Sequence, residues 1–317
     1  MKLSVVTPAY REARNLPVMY ERLKAVCDGL DIEWEWVVVD DHSPDDTFGI
    51  IHDLSERDGR VRGMRLSRNF GSHAAISCGM SASLGDAVVI MAGDLQDPPE
   101  TIPDLLQKWH EGAQTVWAVR AKREGETAST LAFSRLYYWL MRHVAGLKDT
   151  PAMGADFFLM DRVAVDAFGQ FGERNVSIVA LVQWMGFQQT HIEYVKEARL
   201  HGVSGWSLSK KIKLVIDSMT SFSYLPIRAM STIGVGVALF GFLYALYVLL
   251  AALVERSVPG YPSLMVALLI LSGLQMVMLG VLGEYMWRNY DEARRRPRWL
   301  VERAVGRLPP SESPPQG

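Results

Sequence analysis

Short apolar runs alternate with amphipathic segments through the first 120 residues of the chain. The apolar runs predict β-strands, and the segments between them, with apolar residues three or four positions apart, predict helices. Strands are predicted at 3–7, 34–39, 61–66, 87–91 and 115–119, and helices at 16–30, 47–56, 74–83 and 99–109. This alternation is typical of an α/β fold, in which a mostly parallel sheet carries helices on both faces.

Two longer apolar runs follow, at 231–253 and 264–283, and neither contains a charged residue. As a helix, each is long enough to cross a bilayer core of about 30 Å. Basic residues flank the outer ends of the pair, which by the positive-inside rule places both chain termini in the cytoplasm. A helical hairpin buried in a large soluble core is the alternative, but it leaves the charge asymmetry unexplained.

These patterns divide the chain into a cytoplasmic domain and a membrane hairpin. The first apolar run is ended by Pro8 and followed by charged residues, so it does not have the form of a signal peptide. We predict a two-pass protein of the cytoplasmic (inner) membrane. Its segments are a cytoplasmic domain (1–208), a basic or amphipathic juxtamembrane segment (209–230), transmembrane helices (231–253 and 264–286) joined by a short external turn (254–263), and a basic cytoplasmic tail, disordered at its end (287–317).

Composition and charge exclude several classes of protein. The 33 basic and 35 acidic residues give a formal net charge of −2, so bulk positive charge offers no argument for a nucleic-acid partner. The two cysteines, Cys27 and Cys78, are too few for a disulfide scaffold or a thiolate zinc site. Glycine-rich phosphate-binding motifs and the H-E-x-x-H zinc motif do not occur in the sequence.

Acidic residues collect where the predicted strands end. Asp40 and Asp41 close the second strand, and Asp94 follows the fourth. Ligands of parallel sheets bind beyond the carboxyl ends of the strands. Clustered carboxylates there suit Mg²⁺ or Mn²⁺ shared with substrate phosphates, or hydrogen bonds to a ribose or a base edge. Helix capping is the alternative, and it fits Asp45 or Asp46 better than two adjacent acids at the end of a strand.

Five sequence motifs and the apolar hairpin then carry a resemblance. The motifs are V-V-T-P-A-Y-R-E (5–12), V-V-V-D-D-H-S-P-D-D-T (37–47), R-N-F-G (68–71), G-D-L-Q-D-P-P-E (93–100) and Asp156 before two phenylalanines. In this order they resemble the family 2 glycosyltransferases of GT-A fold. The resemblance is nearest to the membrane-anchored polyprenyl-phosphate glycosyltransferases, which include dolichyl-phosphate mannose synthase and bacterial undecaprenyl-phosphate sugar transferases. It covers nearly the whole chain.

The resemblance implies a site for a UDP- or GDP-linked sugar. Asp94 and Gln96 would hold Mg²⁺ or Mn²⁺ against the donor diphosphate. Ala92 stands where the family often has a further acid, so either the metal affinity is weaker or Asp97 or a water substitutes for that acid. The residues implied to bind the nucleotide sugar are Pro8, Tyr10, Glu12, Asp40, Asp41 and Asp94.

The implied reaction moves one sugar to a polyprenyl phosphate, with undecaprenyl phosphate expected, and inverts the anomeric carbon. Asp156 is the implied catalytic base. Because a phosphate monoester is largely dianionic at pH 7, Asp156 could instead position a substrate, or be only a polar residue at the start of a strand. The candidate ligands of the acceptor phosphate are Arg120, Arg123, Arg199, Ser204, Lys210 and Lys211. Anchoring to anionic lipid is the alternative for the lysines.

Two further classes remain open at this point. One is a non-catalytic membrane protein that binds nucleotide sugars, in which Ala92 and Phe158, where close relatives often carry arginine, are signs of decay. The other is a transferase that acts on another lipid or glycan. The resemblance also allows a homo-oligomer, and the sequence does not select the sugar or the nucleotide.

Overall fold

A computed structural model describes residues 1–121, 157–173, 177–197, 225–253 and 260–306. The strands are β1 (Lys2–Ala9), β2 (Glu33–Asp40), β3 (Val61–Leu66), β4 (Ala87–Ile90), β5 (Thr115–Arg120), β6 (Phe157–Asp161), β7 (Gln189–Tyr194) and β8 (Val301–Val305). The helices are α1 (Leu16–Asp28), α2 (Thr47–Arg57), α3 (Ser72–Ala82), α4 (Ile102–His110), α5 (Arg162–Gly169), α6 (Ile178–Trp184), α7 (Leu225–Leu253) and α8 (Tyr261–Ala293). A 3₁₀ turn, Pro99–Thr101, precedes α4.

The eight strands form one mixed sheet in the order β7-β5-β6-β4-β1-β2-β3-β8. Strands β4, β1, β2 and β3 are parallel to one another, and β6 runs antiparallel between β4 and β5. All five predicted strands and all four predicted helices of the first 120 residues are present within a few residues of their predicted bounds. The predicted α/β architecture is therefore confirmed.

The sheet is buried on both faces, which explains why its central strands are continuously apolar. In β2 every residue after Glu33 is buried. One face packs against α1, α2 and α4, and the other packs against α3, α5 and α6. A Cβ atom on Gly79 of α3 would lie 2.4 Å from a methyl carbon of Val6 in β1, so this close packing of helix on strand requires glycine.

The predicted tail, 287–317, contains regular structure that the sequence analysis missed. Helix α8 continues to Ala293, and Val301–Val305 returns to the sheet as β8, antiparallel to β3. The five residues of β8 include two charges and are mostly exposed. This composition is common in edge strands and gives a weak apolar signal. The end of the tail, predicted to be disordered, lies outside the described residues from 307 onward.

Both predicted membrane helices are present and are longer than predicted, at 29 and 33 residues. Their most apolar windows are Ile227–Tyr244 and Ile270–Ala293, with mean hydropathy of 1.5 and 1.3. No residue of either window is buried within the described part of the chain. Phe240, for example, is 72% exposed. The alternative of a hairpin buried in a soluble core is therefore wrong, and each helix is long and apolar enough to cross a membrane.

Candidate functional site

The predicted site motifs meet at the carboxyl ends of β1, β2 and β4. Ala9 pairs with Asp40 in the sheet register, and the backbone N–H of Asp41 donates to the carbonyl of Ala9 at 2.9 Å. The segment after β4 also lies close to the end of β1. A Cβ atom on Gly93 would be 3.3 Å from the methyl carbon of Thr7 and 3.4 Å from Cγ of Glu12. Three motifs far apart in sequence thus form one edge of the sheet.

The loop after β1 is fixed to the loop after β2 by hydrogen bonds. Arg11 has a left-handed backbone (φ 64°), and its N–H donates to Ser43 Oγ at 3.0 Å. The N–H of Glu12 donates to Thr47 Oγ1 at 3.0 Å. Pro8 is partly buried beneath these contacts, whereas Tyr10 is 41% exposed at the rim. The geometry leaves the Tyr10 ring accessible to a ligand at the sheet edge.

Asp40 and Asp41 are both buried, and both hold loop residues through hydrogen bonds. Asp40 accepts a hydrogen bond from the N–H of Ser43 at 2.9 Å, and its Oδ2 lies 3.4 Å from Arg65 Nη1. Asp41 accepts the backbone N–H groups of Phe70 at 2.7 Å and Gly71 at 2.8 Å. Burial raises the pKa of Asp41 and the Asp40 charge adds to this, although the two N–H donors oppose the shift. The acids therefore organise the loops, while contact with a nucleotide stays a prediction.

Capping explains Asp45 rather than the two strand-end acids. Asp45 Oδ1 accepts the N–H of Thr47, the first residue of α2, at 3.4 Å, and the Thr47 hydroxyl at 2.6 Å. Asp46 occupies the N-cap position, but its side chain makes no capping hydrogen bond to the described helix. The capping alternative is therefore not needed for Asp40 or Asp41.

The Asp94 loop provides the predicted metal ligands. Asp94 is 8% exposed, and its Oδ1 accepts the N–H of Gln96 at 3.2 Å. Across the described residues, no group of three or more His, Cys, Asp or Glu side chains could hold a metal. One carboxylate still fits a Mg²⁺ or Mn²⁺ ion that takes its remaining ligands from substrate phosphates and water. The donor set therefore suits an ion that arrives with a diphosphate.

Asp97, the predicted substitute for the acid missing at Ala92, is held by the end of β7. Its side chain is completely buried, and Oδ1 accepts the hydroxyl of Tyr194 at 2.5 Å. Lys196 Nζ lies 3.4 Å from the same oxygen. Asp97 thus connects the loop to the end of β7. Tyr194 and Lys196 were not predicted from the sequence, because no local pattern relates them to a loop about a hundred residues earlier.

The predicted acceptor residues are only partly described. Arg120, partly buried at the end of β5, lies opposite Tyr194 in the sheet register. Phe158 is 1% exposed, and its ring centroid lies 4.9 Å from that of Trp117, so it is a core residue. The predicted residues that lie outside the described part of the chain are Asp156, Arg123, Arg199, Ser204, Lys210 and Lys211.

Comparison with known proteins assigns the family. The sequence model described as Glycosyl transferase family 2 matches residues 4–169, more than half of the chain. The chain is a family 2 glycosyltransferase. This glycosyltransferase is 36% identical over 305 residues to the SfII prophage-derived bactoprenol glucosyl transferase of Shigella flexneri, covering 96% of this chain and 98% of that protein. The predicted family and enzyme class are confirmed.

A second relative supports the family, and a solved structure supports the fold. The glycosyltransferase is 39% identical to the uncharacterized glycosyltransferase YkcC of Bacillus subtilis, covering 96% of this chain and 95% of the relative. Its fold matches that of glucosyl-3-phosphoglycerate synthase from Mycobacterium tuberculosis, solved with Mn²⁺, UDP and glucosyl-3-phosphoglycerate. The TM-score is 0.51 at 16% identity, with 70% of this chain and 80% of that chain covered. The predicted GT-A fold is confirmed.

Proposed function

We propose that the enzyme transfers one sugar from a UDP- or GDP-sugar to a polyprenyl phosphate, with undecaprenyl phosphate as the expected lipid. The observation that carries the proposal is the extent of the match to a bactoprenol glucosyl transferase. It covers 96% of this chain and so includes most of the α/β domain and of the apolar helices. A lipid acceptor explains why the chain combines an α/β domain with apolar helices. The lipid tail remains in the bilayer, so the catalytic domain must work at the membrane surface.

The donor binds at the edge formed by β1, β2 and β4. Tyr10 is exposed there, and Asp40 and Asp41 keep the adjoining loops in place through Ser43, Phe70 and Gly71. Pro8, Glu12 and Asp94 complete the proposed nucleotide-sugar site. The ordered loops reduce the conformational entropy that is lost when the nucleotide binds.

Asp94, with Gln96 beside it, holds Mg²⁺ or Mn²⁺ in this proposal. The ion supplies positive charge that stabilises the departing nucleoside diphosphate. Asp94 is fixed for this role by its hydrogen bond to the Gln96 N–H, and Gln96 in turn accepts the N–H of Glu197 at 2.9 Å. The chain's own contribution is thus one oriented carboxylate on a braced loop.

The acceptor phosphate reaches the site from the membrane side. We place α7 and α8 across the bilayer with both termini and the catalytic domain in the cytoplasm, following the basic flanks outside the pair. Arg120, Arg123, Arg199, Ser204, Lys210 and Lys211 are the proposed phosphate ligands, and Asp156 acts as the base or as a positioning group. A phosphate oxygen that attacks the sugar from the side opposite the leaving diphosphate inverts the anomeric carbon.

The test is nucleotide release by the detergent-solubilised enzyme. UDP- and GDP-sugars are supplied singly with Mn²⁺, with and without undecaprenyl phosphate. One donor is expected to release its nucleoside diphosphate only when the lipid is present. Asp94→Asn should lower that rate about 100-fold, as expected for loss of a charge that acts in the transition state. The matched control, Asp53→Asn, changes an exposed acid on α2 and should retain activity.

Two results would contradict the proposal. Release that the lipid does not stimulate, but that another glycan or lipid does, would overturn the acceptor and leave the enzyme class intact. Equal rates for the wild type and Asp94→Asn would remove the proposed role of Asp94.

A further inference from the structure

The Asp94 loop adopts a strained backbone in a buried position. Leu95 has φ of 58°, in the left-handed region that leucine rarely occupies, and it is 1% exposed. Such a conformation costs free energy and persists only where the surroundings hold it in place. The residues that hold Leu95 therefore also determine where the neighbouring Asp94 and Gln96 side chains lie.

The end of β7 contacts the two residues that follow Leu95. The Tyr194 hydroxyl donates to Asp97 Oδ1 at 2.5 Å, and Lys196 Nζ approaches the same oxygen to 3.4 Å. One residue further on, the N–H of Glu197 donates to the carbonyl of Gln96 at 2.9 Å. Three contacts, from residues 194, 196 and 197, thus connect the end of β7 to residues 96 and 97 of the loop.

The Tyr194–Asp97 hydrogen bond lies in a buried setting that favours the protonated phenol. Asp97 is completely buried, and the Tyr194 ring packs edge-on against Phe157, with 5.6 Å between centroids. Burial raises the pKa of Tyr194 above its usual range, and the adjacent Asp97 charge raises it further, so the phenol keeps its proton and remains a donor. A buried hydrogen bond to a carboxylate is stronger than one between neutral groups.

Exposed ion pairs continue the bracing on the outside of the loop. Arg22 of α1 lies 2.6 Å from Glu100 and 2.9 Å from Glu197, so one guanidinium joins the end of the loop to the segment after β7. This pair is more exposed than Asp97, and surface pairs contribute little on their own. The contacts of Tyr194 and Lys196 with the completely buried Asp97 are therefore expected to hold the loop more firmly than the surface pairs.

We propose that Tyr194 and Lys196 are positioning residues, which act through Asp97 to hold the Asp94–Gln96 loop in the conformation that binds a metal-complexed nucleoside diphosphate. The inference rests on the proposed donor site, but it adds two residues that touch neither donor nor metal. It also gives Asp97 a role separate from metal binding. In the sequence, Tyr194 and Lys196 come shortly before Arg199 and Ser204, two of the proposed acceptor ligands.

The first test compares Tyr194→Phe with a matched control in the full-length enzyme. Tyr194→Phe removes the hydroxyl and keeps the ring. Tyr20→Phe does the same at another buried tyrosine, which lies on α1 and whose hydroxyl donates to Asp58 at 2.8 Å. Calorimetric titration with UDP or GDP, whichever the wild type binds more tightly, is repeated over a series of Mn²⁺ concentrations. Tyr194→Phe should need on the order of tenfold more Mn²⁺ for half-maximal nucleotide binding, whereas Tyr20→Phe should match the wild type.

A second readout needs no ligand. Amide hydrogen exchange at residues 94–97 should be faster in Tyr194→Phe than in the wild type, with exchange in β1 and β2 unchanged. If Tyr194→Phe does not fold, Lys196→Gln serves in its place, and Lys196→Arg should restore part of the Mn²⁺ affinity by returning the positive charge.

The outcomes separate this inference from the proposed function. Suppose that the wild type binds the Mn²⁺–nucleotide complex, and that Tyr194→Phe and Lys196→Gln show the same Mn²⁺ affinity and the same amide exchange as the wild type. This result would overturn the inference and leave the proposed donor site intact. Equal losses in Tyr194→Phe and Tyr20→Phe would reduce the effect to general destabilisation and overturn it as well. If the wild type binds neither nucleotide with Mn²⁺, the proposed donor site fails. Unchanged exchange at residues 94–97 would then also refute the bracing of the loop.

Discussion

Glu302 of β8 forms an ion pair with Arg65 of β3, with 3.3 Å between Oε2 and Nε. The same carboxylate oxygen lies 3.5 Å from Nδ1 of His42, and Arg65 Nη1 lies 3.4 Å from Asp40 Oδ2. Because β8 follows α8 in the chain, the polypeptide returns from the apolar helices to the side of the sheet where we propose that the donor binds. A segment that looked like a tail therefore contacts the side chains around Asp40.

Loss of the Glu302 carboxylate should loosen Arg65 and weaken nucleotide binding. Glu302→Gln is expected to raise the dissociation constant for the nucleotide by up to about fivefold, since partly exposed pairs contribute about 0.2–1 kcal/mol. Titration calorimetry with Mn²⁺ present measures the effect. The control is Asp166→Asn, which breaks the 3.4 Å pair with Arg162 on α5. Equal affinities in the two variants would show that β8 does not act on the donor site.

Asp41 should be important for stability as well as for the site. Asp41→Ala leaves the N–H groups of Phe70 and Gly71 without their acceptor in a buried setting, so we expect a loss of about 2–4 kcal/mol in the free energy of unfolding. Asp46→Ala, in the same loop but exposed, should change it by less than about 0.5 kcal/mol. Urea unfolding followed by tryptophan fluorescence compares them. Similar midpoints for both variants would contradict the structural role of Asp41.

The enzyme should lose stability as the pH falls below about 5. Burial alone raises the pKa of Glu35, but hydrogen bonds from Ser4 and Leu84 and the Arg62 charge outweigh it and hold the pKa below its usual range. Arg60 is the main cause that lowers the pKa of Asp58 to about 2. Both carboxylates take up protons more readily in the unfolded chain. Their stabilisation is therefore complete above their unfolded pKa values and is lost as the pH falls toward the folded ones.

Thermal unfolding at intervals between about pH 7 and pH 3 measures this loss. Asp41 acts in the opposite direction, because its raised pKa favours the folded state as the pH falls. Glu173, whose pKa burial also raises, acts in the same direction as Asp41. The carboxyl groups with a lowered pKa, which include Asp28, Glu100 and Glu111 besides Glu35 and Asp58, outnumber these two, so the net slope should be positive. Asp58→Asn should flatten the slope at the acid end. A melting temperature that stays constant or rises on acidification would contradict the stabilising role of the ionised Glu35 and Asp58 carboxylates.

The membrane orientation can be read from cysteine labelling, because the native thiols are concealed. Cys27 and Cys78 are at most 1% exposed, and burial raises the pKa of each thiol to about 12. Intact cells carrying Ser257→Cys, in the proposed external turn, should react with a membrane-impermeant maleimide. Asp53→Cys, in the catalytic domain, should react only after lysis. The reverse pattern would overturn the proposed orientation.

The parts of the fold that the sequence predicts are those with a strong local signal. Strand β2 is a continuous apolar run because it is buried on both faces, and α7 and α8 are uncharged over most of a bilayer thickness. Strands β7 and β8 were missed because each lies at an edge of the sheet and alternates polar with apolar residues or carries charges. Periodicity cannot distinguish such short edge strands from loops.

In the candidate site, too, only the parts with a strong local sequence signal were predicted. The strand ends that carry Asp40, Asp41 and Asp94 were predicted correctly, because parallel strands bring their carboxyl ends to one edge. The partners of these loops, such as Tyr194 for Asp97, were not predicted. Such pairs depend on which strands become neighbours in the sheet, and no spacing in a single sequence records that.

The mass of the lipid product shows whether the enzyme transfers a sugar to undecaprenyl phosphate. Undecaprenyl phosphate is incubated with the purified enzyme, Mn²⁺ and the donor that supports nucleotide release, and the extracted lipid is analysed by mass spectrometry. We expect a species equal to the lipid phosphate plus one sugar, absent with EDTA and strongly reduced in Asp94→Asn. Nucleotide release with the lipid mass unchanged would contradict it, since the sugar would then have gone to water or to another acceptor.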